Sequence, residues 1–236
     1  MTAVCHSSHA HFARHLLAAC TLAVIFGSCA TGPRISADTA HSSPWLLSYS
    51  QDFSSPDSME DFSFSDAQIW SWNHADGGAL QFREGSSYRP PFRSPTAYAL
   101  VQGLMFDAFI LEAEVQQTGK EYGHRDLCFF FAFESPSKFG YVHLATSPDQ
   151  NAHNIFTVKE AARAPLAPVS EFGVTWTESW HVVKVQRLQA DGPIEVFFDG
   201  KLVLSADASD FGRGRVGFGS FDDSGQMRAL KIWARN

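Results

Sequence analysis

From residue 45 onward, apolar and polar residues alternate with a period of two over much of the chain. Phe109, Leu111, Ala113 and Val115 share one parity, while Glu112, Glu114 and Gln116 take the other. Val183, Val185 and the aliphatic stem of Arg187 alternate in the same way with Val182, Lys184 and Gln186. Successive side chains of an extended chain point to opposite faces, so this spacing predicts strands with one face turned inward. Neither parity of 182–187 is wholly polar, which predicts partial cover on both faces there. Strands are expected at 45–50, 60–64, 67–72, 79–82, 97–101, 104–116 and 127–134. Further strands are expected at 139–145, 153–159, 180–189, 193–199, 201–205, 214–221 and 226–233. Asp199-Gly200 predicts a hairpin through 195–204, and Asp191-Gly192-Pro193 a turn before it. The glycines at 212, 214, 217 and 219 predict a turn entering a tightly packed or bulged strand. The alanine-rich stretch 161–164 predicts a single helical turn, stopped by Pro165. Many short strands and no long amphipathic helix give an all-β chain, a sandwich of two antiparallel sheets. The Ser-, Arg- and Pro-rich segment 83–96 is a surface loop, either inert or bordering a ligand groove.

The 236 residues suffice for one substantial core. Residues 1–28 carry a basic start and a short apolar run, 16–26, which is the pattern of an export signal and too short for a membrane span. Residues 29–43 have linker composition, leaving 44–236 as the folded domain. Phe26-Gly27-Ser28-Cys29 resembles a bacterial lipoprotein processing site, which implies membrane attachment through a lipidated Cys29; simple secretion is the alternative. Either route places the protein in the periplasm, on the outer membrane or outside the cell. The formal net charge is −7, and removing residues 1–28 takes away Arg14 and no acid, giving −8. That balance speaks against non-specific nucleic-acid binding. Cys128 is the single cysteine after Cys29, so the domain holds no internal disulfide and no CxxC metal site, and Cys128 reads as a buried structural thiol.

Trp180-His181-Val182-Val183-Lys184-Val185, the run from Gly192 to Gly200, and the run from Gly214 to Asp223 resemble the laminin-G and concanavalin-like jelly rolls. More narrowly, the chain is similar to bacterial exported domains of the 3-keto-disaccharide hydrolase-like group. The resemblance implies a jelly-roll sandwich that meets a poly- or oligosaccharide across one sheet. It also implies a possible structural calcium, for which Asp222 and Asp223 with Asp52 are the candidate oxygen ligands. No cofactor is expected to be needed for chemistry. Retaining endoglucanases of this fold carry E-x-D-x-E on a strand, from which Glu112-Ala113-Glu114 departs by lacking a third carboxylate.

The candidate chemistry centres on 125–156, where Arg125, His143 and His153 stand in strongly apolar sequence. Alternation turns His143 away from Val142 and Leu144 toward the side of Tyr141, and puts Asn154 opposite His153 and Ile155. If the three gather in one pocket, they suit a lyase acting on a uronate. Arg125 would neutralise the carboxylate, His143 or His153 would take the proton, and Tyr141 would protonate the leaving oxygen. Hydrolysis would instead use Glu112 and Glu114, about 6.5 Å apart along one strand face. Lys184, Asn154, Trp72 and Trp176 are candidate substrate contacts, the tryptophans as stacking platforms. The leading expectation is an exported enzyme that cleaves a glycosidic bond by hydrolysis. A polysaccharide lyase and a non-catalytic carbohydrate-binding module are the alternatives. Both HExxH and GK[ST] are absent, which leaves no motif for catalytic zinc or a nucleotide phosphate.

Overall fold

The computed structural model describes residues 44–235, so the expected export signal, linker and Cys29 anchor lie outside the described residues. In chain order the strands begin with β1 (Leu46–Gln51), β2 (Phe62–Phe64), β3 (Trp70–Asn73), β4 (Ala79–Phe82) and β5 (Ala97–Val101). They continue with β6 (Phe109–Gln117), β7 (Asp126–Ser135), β8 (Lys138–Ala145), β9 (Asn154–Lys159) and β10 (Ala164–Pro165). The last are β11 (His181–Arg187), β12 (Ile194–Phe198), β13 (Lys201–Ala206), β14 (Arg215–Ser220) and β15 (Gly225–Ala234). One sheet runs β13-β12-β11-β6-β15-β4-β3, with β1 also paired to β15; the other runs β10-β9-β8-β7-β14-β5-β2. Every pairing is antiparallel, and the two sheets form a jelly-roll sandwich.

The alternation read from the sequence is the alternation of the fold. Phe109, Leu111, Ala113 and Val115 of β6 enter the core between the sheets. Val183 lies opposite Ala113 and Val185 opposite Leu111, so two inward rows meet side by side. The outer side of β11 is partly covered, as expected: Val182 is exposed, and Lys184 and Gln186 are half-buried. The second sheet differs in being buried on both faces. Leu127, Phe129 and Phe131 of β7 join the main core, whereas Cys128 and Phe130 join a separate cluster with Tyr141 and Phe156 on the outer side. A strand covered on both sides reads as a continuous apolar run, which accounts for Cys128-Phe129-Phe130-Phe131.

Turn chemistry follows the sequence with three exceptions, one being the strand expected at 60–64, whose first two residues belong to the 3₁₀ turn Pro56–Asp61. Asp199 and Gly200 both have left-handed backbones, φ 48° and 79°, as a two-residue hairpin turn between β12 and β13 requires. A Cβ on Gly219 would lie 2.0 Å from the Ala97 carbonyl oxygen, so β14 needs glycine to approach β5. The expected helical turn at 161–164 is absent: Ala164 and Pro165 instead pair with Thr157 and Phe156 as β10. The strand expected at 67–72 starts as a 3₁₀ turn over Ala67–Ile69, because the Asp66 carboxylate caps the Gln68 N–H at 3.1 Å.

Candidate functional site

The outer face of the second sheet carries two cross-strand rows. Phe130, Tyr141 and Phe156 stand opposite one another on β7, β8 and β9, and Cys128, His143 and Asn154 form the next row. Over this face lie four connections: the 83–96 loop, the 118–125 link from β6 to β7, and the 146–153 and 160–163 segments on either side of β9. Together with the end of β14 they leave a cleft of about 160 Å³ bounded by Arg93, Tyr122, His143, Asn151, Arg163 and Asp222, with His124 and Phe221 completing it. A second lobe of about 380 Å³ shares Tyr122 and Asp222 and adds Glu84, Lys120 and Asp223. The loop 83–96 is therefore a groove border, through Arg93 and Glu84.

Asp126, fully buried at the start of β7, holds this region together. Its carboxylate accepts the Ser220 hydroxyl at 2.9 Å, the Phe221 N–H at 3.0 Å and the Cys128 thiol at 3.0 Å. The His143 Nε2 lies 3.3 Å away, although neither ring nitrogen makes an aligned hydrogen bond or reaches the surface. Burial opposes ionisation of Asp126, but His143, the thiol and the Phe221 N–H outweigh it and hold the carboxyl below its ordinary value. Burial and the Asp126 charge raise Asp223 to about 7 and push Asp222 upward as well. Burial, followed by Asp126, keeps the Cys128 thiol protonated well above the ordinary range.

Arg163 is fixed in the groove wall. It donates to the Tyr141 hydroxyl at 2.8 Å and to the Asn151 carbonyl at 2.6 Å, with its guanidinium 4.6 Å from the Phe156 ring centre and 4.5 Å from that of Phe221. Tyr122 is 45% exposed, and its hydroxyl donates to Asp223 Oδ2 at 2.8 Å. The ring is thus both accessible and tethered.

His143 takes the side expected from alternation, but the pocket expected to join it to Arg125 and His153 does not form. Arg125 precedes β7 with the opposite parity from Asp126 and donates to the Trp176 carbonyl at 2.6 Å, bordering a different cleft with Gln116 and Glu178. His153 is fully buried, and its Nδ1 accepts the Ala145 N–H at 3.4 Å. Tyr141 is also fully buried, with its hydroxyl held by Arg163 and its ionisation suppressed mainly by burial. Asn154 spends its side chain on Ala167 and Ile155 and anchors the 166–168 segment.

Glu112 and Glu114 do share a face, but it is the outer face of the other sheet, on the far side of the sandwich from His143. Glu114 pairs there with Arg228 at 2.6 Å, and Glu112 lies in register with Lys184 and Lys231. Lys184 on that face sits 4.0 Å from the centre of the Phe197 ring. Trp176 is a core residue packed against His181 and Phe198, and Trp72 donates its indole N–H to the Phe53 carbonyl at 2.7 Å. Neither is an open stacking platform.

The calcium ligand set also changes. Asp52 accepts the Ser54 N–H at 2.9 Å and borders a cleft beside β15, whereas Asp222 and Asp223 gather with Asp126, their nearest oxygens within 4.8 Å. Asp126 is committed to protein donors, and Asp223 Oδ2 accepts both the Tyr122 hydroxyl and the Asp126 N–H. The trio supplies fewer side-chain groups than the roughly six to eight oxygens calcium takes, and burial, followed by the Asp126 charge, raises both Asp222 and Asp223. Asp126, Asp222 and Asp223 are thus the acidic group that could hold a cation, with Asp52 outside it.

A hydroxyl–imidazole–carboxylate chain also occurs away from the groove: Thr177 Oγ1 lies 2.9 Å from His181 Nε2, and His181 Nδ1 lies 2.8 Å from Asp199. The Thr177 N–H bonds the same Nε2 at 3.2 Å, so this chain closes a turn.

Among the groove residues that the sequence reading missed are Arg93, Tyr122, Asn151 and Arg163. All four lie in connections, where no periodicity marks them; the Ser/Arg/Pro composition of 83–96 was the one available signal.

The sequence matches no protein-family model and no curated protein. Solved structures share the fold. A carbohydrate binding module, CBM66 from Bacillus subtilis, is 14% identical with a TM-score of 0.53, over 73% of this chain and 94% of that one. A Bacillus subtilis protein of unknown function with a galectin-like fold is 13% identical at 0.55, over 82% and 100%. A GlcNAcα1-4Gal-releasing endo-β-galactosidase from Clostridium perfringens is 11% identical at 0.52, over 80% of this chain and 62% of that enzyme. At these identities the likeness establishes the galectin-like and concanavalin-like sandwich alone.

Proposed function

We propose that this chain binds an oligosaccharide in the two-lobed groove and does not cleave it. Tyr122 carries the reading. An aromatic ring that is 45% exposed, tethered through its hydroxyl and shared by both lobes is a rigid platform for the apolar face of a sugar. Around it, Arg93, Asn151, Asp222 and Lys120 offer donors and acceptors for hydroxyl groups, the usual division of labour in a ligand site. The sugar-binding module of the same fold supports this assignment.

Binding is favoured over turnover because the proton-transfer groups expected from the sequence are sealed or elsewhere. Of the titratable groups that do line the groove, Asp223 is buried with Oδ2 held by Tyr122 and the Asp126 N–H, and His124 is tied to Asp149. That leaves Asp222 and Glu84 as its exposed acids. Both His143 nitrogens are covered, Tyr141 is held by Arg163, Arg125 borders another cleft, and Glu112 and Glu114 occupy the opposite face. General acid–base catalysis needs such a group within hydrogen-bond reach of the reacting atom. The test is a glycan array with the full chain and Tyr122→Ala, combined with mass spectrometry of incubated oligosaccharides. Wild-type protein should bind and leave ligand masses unchanged, and Tyr122→Ala should weaken binding about tenfold, equivalent to ~1.4 kcal/mol. Shortened products would overturn the non-catalytic assignment, and unaltered binding by the variant would overturn the site.

A further inference from the structure

We infer that the groove recognises an acidic glycan, with the carboxylate of a uronate residue seated in the lobe bounded by Arg93 and Arg163. The inference rests on the saccharide-binding reading and names its ligand class. The chain as a whole is acidic, at −7, yet this lobe places two guanidinium groups on one aromatic ring. Arg163 lies 4.5 Å and Arg93 5.8 Å from the centre of Phe221. Among the described residues neither is ion-paired to a carboxylate. The two are held side by side by their backbones, since the Arg163 N–H donates to the Arg93 carbonyl at 3.3 Å.

Their side chains play different parts. Arg163 is committed to Tyr141 and Asn151 and contributes a fixed positive field. The Arg93 side chain is exposed and has no protein hydrogen bond among the described residues, so its planar fork is free to take a carboxylate through two parallel N–H bonds. Within this lobe the other cationic candidates are spent: His124 is tied to Asp149 at 3.0 Å, and the His143 nitrogens are covered. Asp222 borders both lobes, and the other acids, Glu84 and Asp223, line the second lobe with Lys120. The first lobe sets two guanidinium groups against Asp222, and the second sets Glu84, Asp222 and Asp223 against Lys120, so a carboxylate is favoured in the first.

The test compares tetrasaccharides containing glucuronate, galacturonate or mannuronate with their carboxyl-reduced neutral counterparts, using the full chain and titration calorimetry. At least one acidic member should bind about tenfold more tightly than its neutral partner, and that preference should shrink as salt screens the charge. Arg93→Gln should bring the ratio to about one by lowering the acidic affinity more than the neutral one. The salt series needs no variant and reads the same interaction. Neutral partners binding as tightly as the acids, or a preference indifferent to salt and to Arg93→Gln, would overturn the acidic class and leave saccharide binding standing. If neither these glycans nor any other saccharide binds, both readings fall.

Discussion

Acidification should expose the cost of burying His153. Its imidazole is fully buried, with Nδ1 accepting the Ala145 N–H, so the neutral ring carries its proton on Nε2, which has no partner. Burial first, and the nearby His143 second, draw its pKa from 6.5 down to about 4. Between those values the unfolded chain binds a proton that the folded protein refuses, so stability falls as pH falls. At 1.36 kcal/mol per unit, the loss approaches about 3 kcal/mol by pH 4 and is about 2 kcal/mol between pH 7 and pH 4.5. Asp223 acts in the opposite sense. With its pKa raised to about 7 by burial and Asp126, it contributes stability at low pH that is lost as pH rises toward neutrality. The wild-type profile therefore mixes two opposed slopes, and a variant is needed to separate them. His153→Asn is suitable because the backbone there is left-handed, at φ 52°, a conformation asparagine tolerates. Urea unfolding of both proteins at pH 7 and pH 4.5 gives a double difference, in which wild type should lose about 2 kcal/mol more than His153→Asn. Parallel pH profiles, or a wild type that gains relative to the variant, would refute the reasoning.

Two further outcomes follow from buried groups elsewhere in the domain. Arg187 is almost fully buried and donates to the carbonyls of Ala190, Ala208 and Phe211, so Arg187→Met should cost about 3 kcal/mol or more in urea unfolding by stranding those acceptors. Cys128 is sealed and kept protonated, so iodoacetamide should leave it unmodified in the native protein at pH 8 and alkylate it after unfolding, as read by intact mass.

Local pattern was enough to define the strands and the direction of their side chains. The inward row of β6, the Asp199-Gly200 hairpin, and the placement of His143 with Tyr141 and of Asn154 away from Ile155 all depend on two-residue periodicity or turn chemistry. Those are properties of a short segment, and the segment carries them. Pattern also showed that Glu112 and Glu114 share a face, and the fold agrees.

Only the order of strands in the sheets decides which faces belong to the same side of the sandwich. That order put the Glu112–Glu114 face and the His143 face on opposite sheets. Arg125 was misplaced because one residue of parity separates it from Asp126, and that single step sends its guanidinium to Trp176 instead of the groove. The groove itself joins Arg93, Tyr122, Arg163 and Asp222 from four separate parts of the chain. Their meeting depends on contacts such as Arg163 N–H to Arg93 carbonyl and Tyr122 hydroxyl to Asp223, which span tens of residues and leave no periodic trace. Alternation is a short-range consequence of backbone geometry and could be read from the sequence. A binding site assembled from loops is a long-range consequence of packing, and only the tertiary structure supplied it.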